Sequence, residues 1–120
     1  MARAGVDIIE IKRIDGACRR FGERFLKRIY TDPEISLCKG RSPALAARFA
    51  GKEAVMKALG TGAQGVSWRE IEILAKPTGE PTVRLYGKTK VRAGLIGLGD
   101  LAITLSHSRE YAVAVVVAGS

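Results

Sequence analysis

The chain has few of the side chains that hold soft metals: two cysteines and one histidine in 120 residues. Cys18 and Cys38 stand alone, with no Cys-x-x-Cys and no Cys/His cluster, so a structural zinc site is not expected. Both cysteines read as small apolar fillers on helices. No apolar run approaches the roughly 18 residues that span a bilayer. The opening residues have no signal-peptide core either, because Asp7 interrupts them at once. The expected compartment is therefore the cytoplasm. Internal repeats and low-complexity tracts are also absent. Acidic residues are in deficit, 12 against 20 lysines and arginines, for a net charge of +8. That balance points to a polyanionic partner: nucleic acid, an anionic membrane, a phosphate-rich small molecule or an acidic protein. Composition alone does not choose among these, and surface lysines and arginines also serve plain solubility.

What is present suits one soluble globular domain. Hydrophobic residues make up 47% and charged residues 27%, the ordinary proportions of such a domain. A chain of this length buries about two-thirds of the surface it exposes when unfolded. Residues 6–11 read as a short β-branched strand with Asp7 inside it. Ile11, Ile14, Cys18, Phe21, Phe25 and Ile29 then recur at helical steps, with a break expected near Gly16 or Gly22. The opposite face carries Lys12, Arg13, Arg19, Arg20, Arg24, Lys27 and Arg28.

Thr31 and Glu34 form the signature of a capped helix start, and this short helix ends near Gly40. Ser42 and Pro43 open the next helix, with serine as the expected cap, and Gly60 closes it after Leu59. Residues 60–65 read as a flexible loop. Strands follow at 68–75 and 82–86, then a helix at 88–96, then a hairpin of strands at 101–105 and 111–118. The expected fold is α+β, a mainly antiparallel sheet packed with helices, in the order β-α-α-α-β-β-α-β-β.

The densest chemistry lies in Arg48-Phe49-Ala50-Gly51-Lys52-Glu53-Ala54-Val55-Met56-Lys57-Ala58. Glu53 and Lys57 are spaced to share one helix face, and Arg48 and Lys52 share another beside it. One carboxylate among three cations suits a metal and a polyphosphate. It also suits an ordinary exposed Glu–Lys pair worth a few tenths of a kcal/mol. Asp7 could converge with Glu53 on a metal, and magnesium takes one or two protein carboxylates with phosphates and water. Asp7 could equally cap nearby backbone. His107 lies between two serines and could bind phosphate, act as a base or satisfy a carbonyl. The glycines of Gly94-Leu95-Ile96-Gly97-Leu98-Gly99 end a helix and are not spaced as a dinucleotide fingerprint.

Three segments in this order resemble the holo-acyl-carrier-protein synthase family of 4′-phosphopantetheinyl transferases: Gly5-Val6-Asp7-Ile8-Ile9-Glu10-Ile11, the helix segment above, and Leu105-Ser106-His107-Ser108-Arg109-Glu110-Tyr111-Ala112. The resemblance covers nearly the whole chain. It implies transfer of the 4′-phosphopantetheine arm of coenzyme A to a serine of apo acyl carrier protein, in fatty acid biosynthesis, with release of adenosine 3′,5′-bisphosphate. It implies Asp7 and Glu53 as Mg²⁺ ligands, and Glu53, Lys57 and Asp7 as the catalytic set. The serine proton would go to Glu53 or to a water at the metal. Arg48, Lys52, Lys57, Gly79, Pro81 and His107 are the implied coenzyme A contacts.

The arginine-rich face, with Arg13, Arg20, Arg24 and Arg28, is the implied dock for the acidic carrier protein. It could instead contact nucleic acid. No aromatic side chain is expected on that face to stack a base, Phe21 and Phe25 being assigned to the apolar side. The other reading of the whole chain is therefore a non-catalytic basic module for RNA or DNA. The last strand, residues 111–118, is apolar at almost every position, so both its faces should be covered, either as a central strand or by a neighbouring subunit. The resemblance implies a homotrimer with active sites between subunits, and no nucleic-acid or membrane partner.

Overall fold

The structure is a computed structural model that describes residues 2–61 and 67–119. In chain order it contains β1 (Arg3–Glu10), α1 (Ile11–Phe21), α2 (Glu23–Ile29), α3 (Asp32–Cys38) and α4 (Ser42–Leu59). A single 3₁₀ turn (Trp68–Glu70) leads into β2 (Ile71–Ala75), β3 (Pro81–Leu85), α5 (Gly87–Leu95), β4 (Leu101–His107) and β5 (Tyr111–Ala118). The expected α+β class and element order hold, with the first helix broken in two. The break is at Gly22, whose φ of 57° a residue with a side chain rarely adopts. Part of the expected loop at 60–65 lies outside the described residues.

Local chemistry accounts for the element starts. Thr31 and Glu34 form the expected capping box: the Thr31 hydroxyl accepts from the Glu34 N–H, and the Glu34 carboxylate accepts from the Thr31 N–H at 2.8 Å. Ser42 departs from expectation. The cap of α4 is Arg41, and the Ser42 hydroxyl donates instead to Asp15 of α1 at 2.9 Å. Pro43 still stands in the first turn, where its missing N–H costs no hydrogen bond. The strand expected from residue 68 begins three residues later, because Trp68–Glu70 winds into the 3₁₀ turn.

Two antiparallel sheets pack around α4. One has strand order β1-β5-β4, and the other is the β2-β3 hairpin. Strand β5 is central, with Asp7 opposite Ala114 in the β1 register. Ala112, Ala114, Val116 and Ala118 of β5 are buried on the α4 side. These small side chains let the helix lie close to the sheet. Helix α4 is itself buried around most of its circumference, through Leu45, Ala46, Ala50, Ala54, Val55 and Leu59. The opposite face of the sheet is apolar and uncovered: Val6 is 55% exposed, Ile8 63% and Val117 47%.

Candidate active site

Strand β1 places Asp7 on its α4 side, between the buried Gly5 and Ile9. Helix α4 presents Glu53 and Lys57 one turn apart to meet it. The Lys57 ammonium lies 3.1 Å from an Asp7 carboxylate oxygen and donates to the Val6 carbonyl at 2.9 Å. Asp7 keeps only 17% of its side chain exposed while Lys57 keeps 52%, so the anion is held in place and the cation can swing out. Burial and the nearby charge of Asp7 push the Glu53 carboxyl above its ordinary value, with Lys57 opposing. Two carboxylates that repel each other across a half-buried gap form a donor pair that a divalent cation would relieve. Among the described residues, no group of three or more histidines, cysteines, aspartates or glutamates could hold a metal. Such a pair suits Mg²⁺, which keeps most of its shell for water and phosphate oxygens.

A second site lies at the start of α4. A cavity of about 190 Å³ gathers Arg48, Gly79, Pro81, Ser106 and His107. Arg48 is fixed there by the carbonyls of Ile73 at 3.2 Å and Ala44 at 3.3 Å. Gly79 has φ of 92° in the β2-β3 turn and donates its N–H to Lys76 at 2.8 Å. His107 ends β4 with its ring exposed, Nδ1 lying 3.3 Å from the Ser108 carbonyl. The cavity thus joins Arg48, His107 and Ser106, and four of the residues expected to contact coenzyme A converge on it.

Lys52 does not join either group. Its side chain is fully buried on a different side of α4. Its ammonium pairs with Glu34 at 2.8 Å and donates to the carbonyls of Trp68, at 3.0 Å, and Ile71. Glu34 uses its other oxygen to accept the Ile73 N–H at 2.8 Å. Lys52 therefore ties α3, α4 and β2 together and is no phosphate ligand, contrary to expectation. The sequence carried half the signal, since Glu34 stood out as a capping residue.

The expected docking arginines, Arg13 and Arg20 on α1 and Arg24 and Arg28 on α2, are all exposed. The assignment of Phe21 to the apolar side is corrected by the structure. It is 52% exposed, with the Arg20 guanidinium 5.4 Å from its ring centre. The break at Gly22 ends the helical stripe that would have buried it. Phe25 packs edge-on to Tyr30 as expected, with ring centres 6.1 Å apart. Phe21, Arg24, Phe25 and Arg28 line a groove of about 290 Å³. A larger cavity of about 460 Å³ runs from Glu10 and Asp15 to Arg109 and Tyr111. Its lining mixes charges of both signs and brings residues of the first and last motifs, Glu10 and Ile11 with Arg109, Glu110 and Tyr111, to one place.

A sequence profile described as the 4′-phosphopantetheinyl transferase superfamily matches residues 3–116. The holo-[acyl-carrier-protein] synthase of Dehalococcoides mccartyi strain CBDB1 is 54% identical over 118 residues, 98% of each chain. The chain belongs to the holo-acyl-carrier-protein synthase family of 4′-phosphopantetheinyl transferases. Solved structures of that family share its fold. The Helicobacter pylori holo-[acyl-carrier-protein] synthase, in complex with coenzyme A, superposes with a TM-score of 0.89 at 36% identity, covering 97% of this chain and 99% of that one. The Neisseria meningitidis holo-[acyl-carrier-protein] synthase gives 0.89 at 33% identity, covering 98% of each. The resemblance read from three short motifs thus extends over the whole chain.

Proposed function

We propose that the chain transfers the 4′-phosphopantetheine group of coenzyme A to a serine of an apo acyl carrier protein, in fatty acid biosynthesis in the cytoplasm. The observation that carries this reading is the convergence of Asp7, Glu53 and Lys57 on β1 and α4. Asp7 and Glu53 would hold Mg²⁺, which when bound neutralises charge on the pyrophosphate of coenzyme A. Lys57 is exposed enough to turn from Asp7 toward a phosphate oxygen and stabilise charge on the leaving group. Glu53, or a water beside it, would take the serine proton. The serine oxygen then bonds to phosphorus in line with the breaking pyrophosphate P–O bond, and adenosine 3′,5′-bisphosphate leaves. Arg48, Gly79, Pro81 and His107 would seat the nucleotide end of coenzyme A. Consumption of coenzyme A that requires an apo carrier protein supports this reading. A folded protein that consumes none overturns it. Steep, salt-sensitive binding of RNA or DNA without transfer would favour the basic-module alternative.

The acidic carrier protein would dock on Arg13, Arg20, Arg24 and Arg28. Reversing Arg20 and Arg24 to glutamate is expected to raise KM for the carrier roughly tenfold and to flatten its salt dependence. KM for coenzyme A should stay within about twofold, because neither residue lines the 190 Å³ cavity. A rise in KM for coenzyme A instead would assign the face to the cofactor.

The two half-sites support assembly as a homotrimer. Arg48 and Glu53 stand five residues apart, roughly 140° around an α-helix. The cavity around Arg48 and His107 includes none of Asp7, Glu53 and Lys57. A neighbouring copy can bring its cavity to this chain's carboxylates, and the uncovered apolar face of Val6, Ile8, Val115 and Val117 offers it a contact surface. Light scattering should give about three times the mass of one chain. A monomer with full transfer activity at assay concentration contradicts this assembly.

A further inference from the structure

The spacing between β1 and α4 is set by a residue that carries no functional group. A side chain on Gly5 would project directly into the backbone of α4. Its Cβ would run into the Ala54 carbonyl oxygen, and would lie 2.9 Å from the carbonyl carbon and 3.0 Å from the Ala58 nitrogen. These are backbone atoms inside a buried helix, so no rotamer change relieves the clash. Strand β1 must retreat by on the order of 1 Å, a displacement that matters at a reacting centre. Gly5 is not in the left-handed region, so this requirement comes from space and not from backbone freedom. It also faces the site. Gly5 and Asp7 lie on the same side of β1, and Ala54 directly follows Glu53. The bonds of Lys57 to the Val6 carbonyl and to Asp7 cross the same seam.

We infer that Gly5 is the positioning residue of the carboxylate pair: its missing side chain lets β1 approach α4 closely enough for Asp7 and Glu53 to act on one cation. This rests on the metal reading above. Gly51 provides the internal control. A Cβ there meets side-chain ends, Ile73 Cδ1 at 2.5 Å and Ile103 Cδ1 at 3.2 Å, on β2 and β4 and away from β1. Adding a methyl group to α4 at that point disturbs packing without touching the β1 seam.

The experiment titrates Mn²⁺ in the presence of coenzyme A, read by water-proton relaxation, into the wild type, Gly5→Ala, Gly51→Ala and Glu53→Gln. Circular dichroism checks each fold. Gly5→Ala is expected to stay folded and to bind Mn²⁺ about 10- to 100-fold more weakly, the loss typical when the support of a ligand is removed. Gly51→Ala should lose thermal stability and keep its affinity within about threefold. Wild-type affinity in folded Gly5→Ala overturns the inference while leaving the metal reading intact. Failure of Gly5→Ala to fold also overturns it, since Gly5 would then serve the core as a whole. Equal affinity in the wild type and Glu53→Gln overturns the metal reading, and the inference falls with it.

Discussion

Glu34→Ala is expected to destabilise the fold by about 3–5 kcal/mol, the loss typical when one partner of a buried ion pair is removed. The reason lies in what remains. Glu34 and Lys52 have no exposed side-chain surface. Without the carboxylate, the ammonium keeps the carbonyls of Trp68 and Ile71 and the face of the Tyr30 ring but no counter-charge, and the N–H groups of Thr31 and Ile73 lose their acceptor. Burial already pulls the Lys52 ammonium below its ordinary pKa, with Glu34 opposing that shift. Exposed pairs such as Lys76–Glu80 should cost no more than about 1 kcal/mol when broken. Replacing both partners, as Glu34→Leu with Lys52→Met, should recover much of the loss, because no unpaired charge is then buried. Urea unfolding measures all of these. A Glu34→Ala variant within about 1 kcal/mol of the wild type would show that the pair does not anchor α3 and β2 to α4. The double variant also separates structure from catalysis: if it folds, KM for coenzyme A should be unchanged, as expected of a lysine that touches no phosphate.

Asp7→Ala and Glu53→Ala are each expected to reduce transfer by at least about 10²-fold while leaving the protein folded. The loss should be mainly in turnover, because the cavity around Arg48 and His107 keeps its lining. Stability should change little. Removing Glu53 relieves the burial and the Asp7 repulsion that raise its pKa, whereas removing Asp7 relieves that repulsion but also loses the Lys57 contact. Unfolding midpoints measured beside the rates distinguish the two effects. Near-normal turnover in folded Glu53→Ala at ordinary Mg²⁺ concentration would remove Glu53 from the site.

Much of this arrangement was legible because it is local. Glu53 and Lys57 share a face through helix geometry alone, Thr31 and Glu34 form a cap within one turn, and Gly60 ends α4 where the apolar pattern stops. The misreadings share a different cause. Lys52 could not be oriented from spacing, because α4 is buried on most sides and its polar residues do not mark a solvent face. Its partners Glu34 and Ile71 stand 18 and 19 residues away in sequence. Ser42 looked like a cap until α1 brought Asp15 to its hydroxyl, across 27 residues. Phe21 fitted the apolar stripe, but Gly22 ends the helix beside it. Gly5 was legible as part of a motif, whereas its function emerges only where β1 meets the backbone of α4.

The most direct test of the central claim is the intact mass of an apo carrier protein after incubation with this chain and coenzyme A, with and without Mg²⁺. The account predicts a gain of one phosphopantetheine on a single serine, matched by release of adenosine 3′,5′-bisphosphate, only when Mg²⁺ is present and Glu53 is intact. A carrier whose mass does not change with the folded protein and Mg²⁺ would contradict it, as would a gain that persists undiminished in Glu53→Ala.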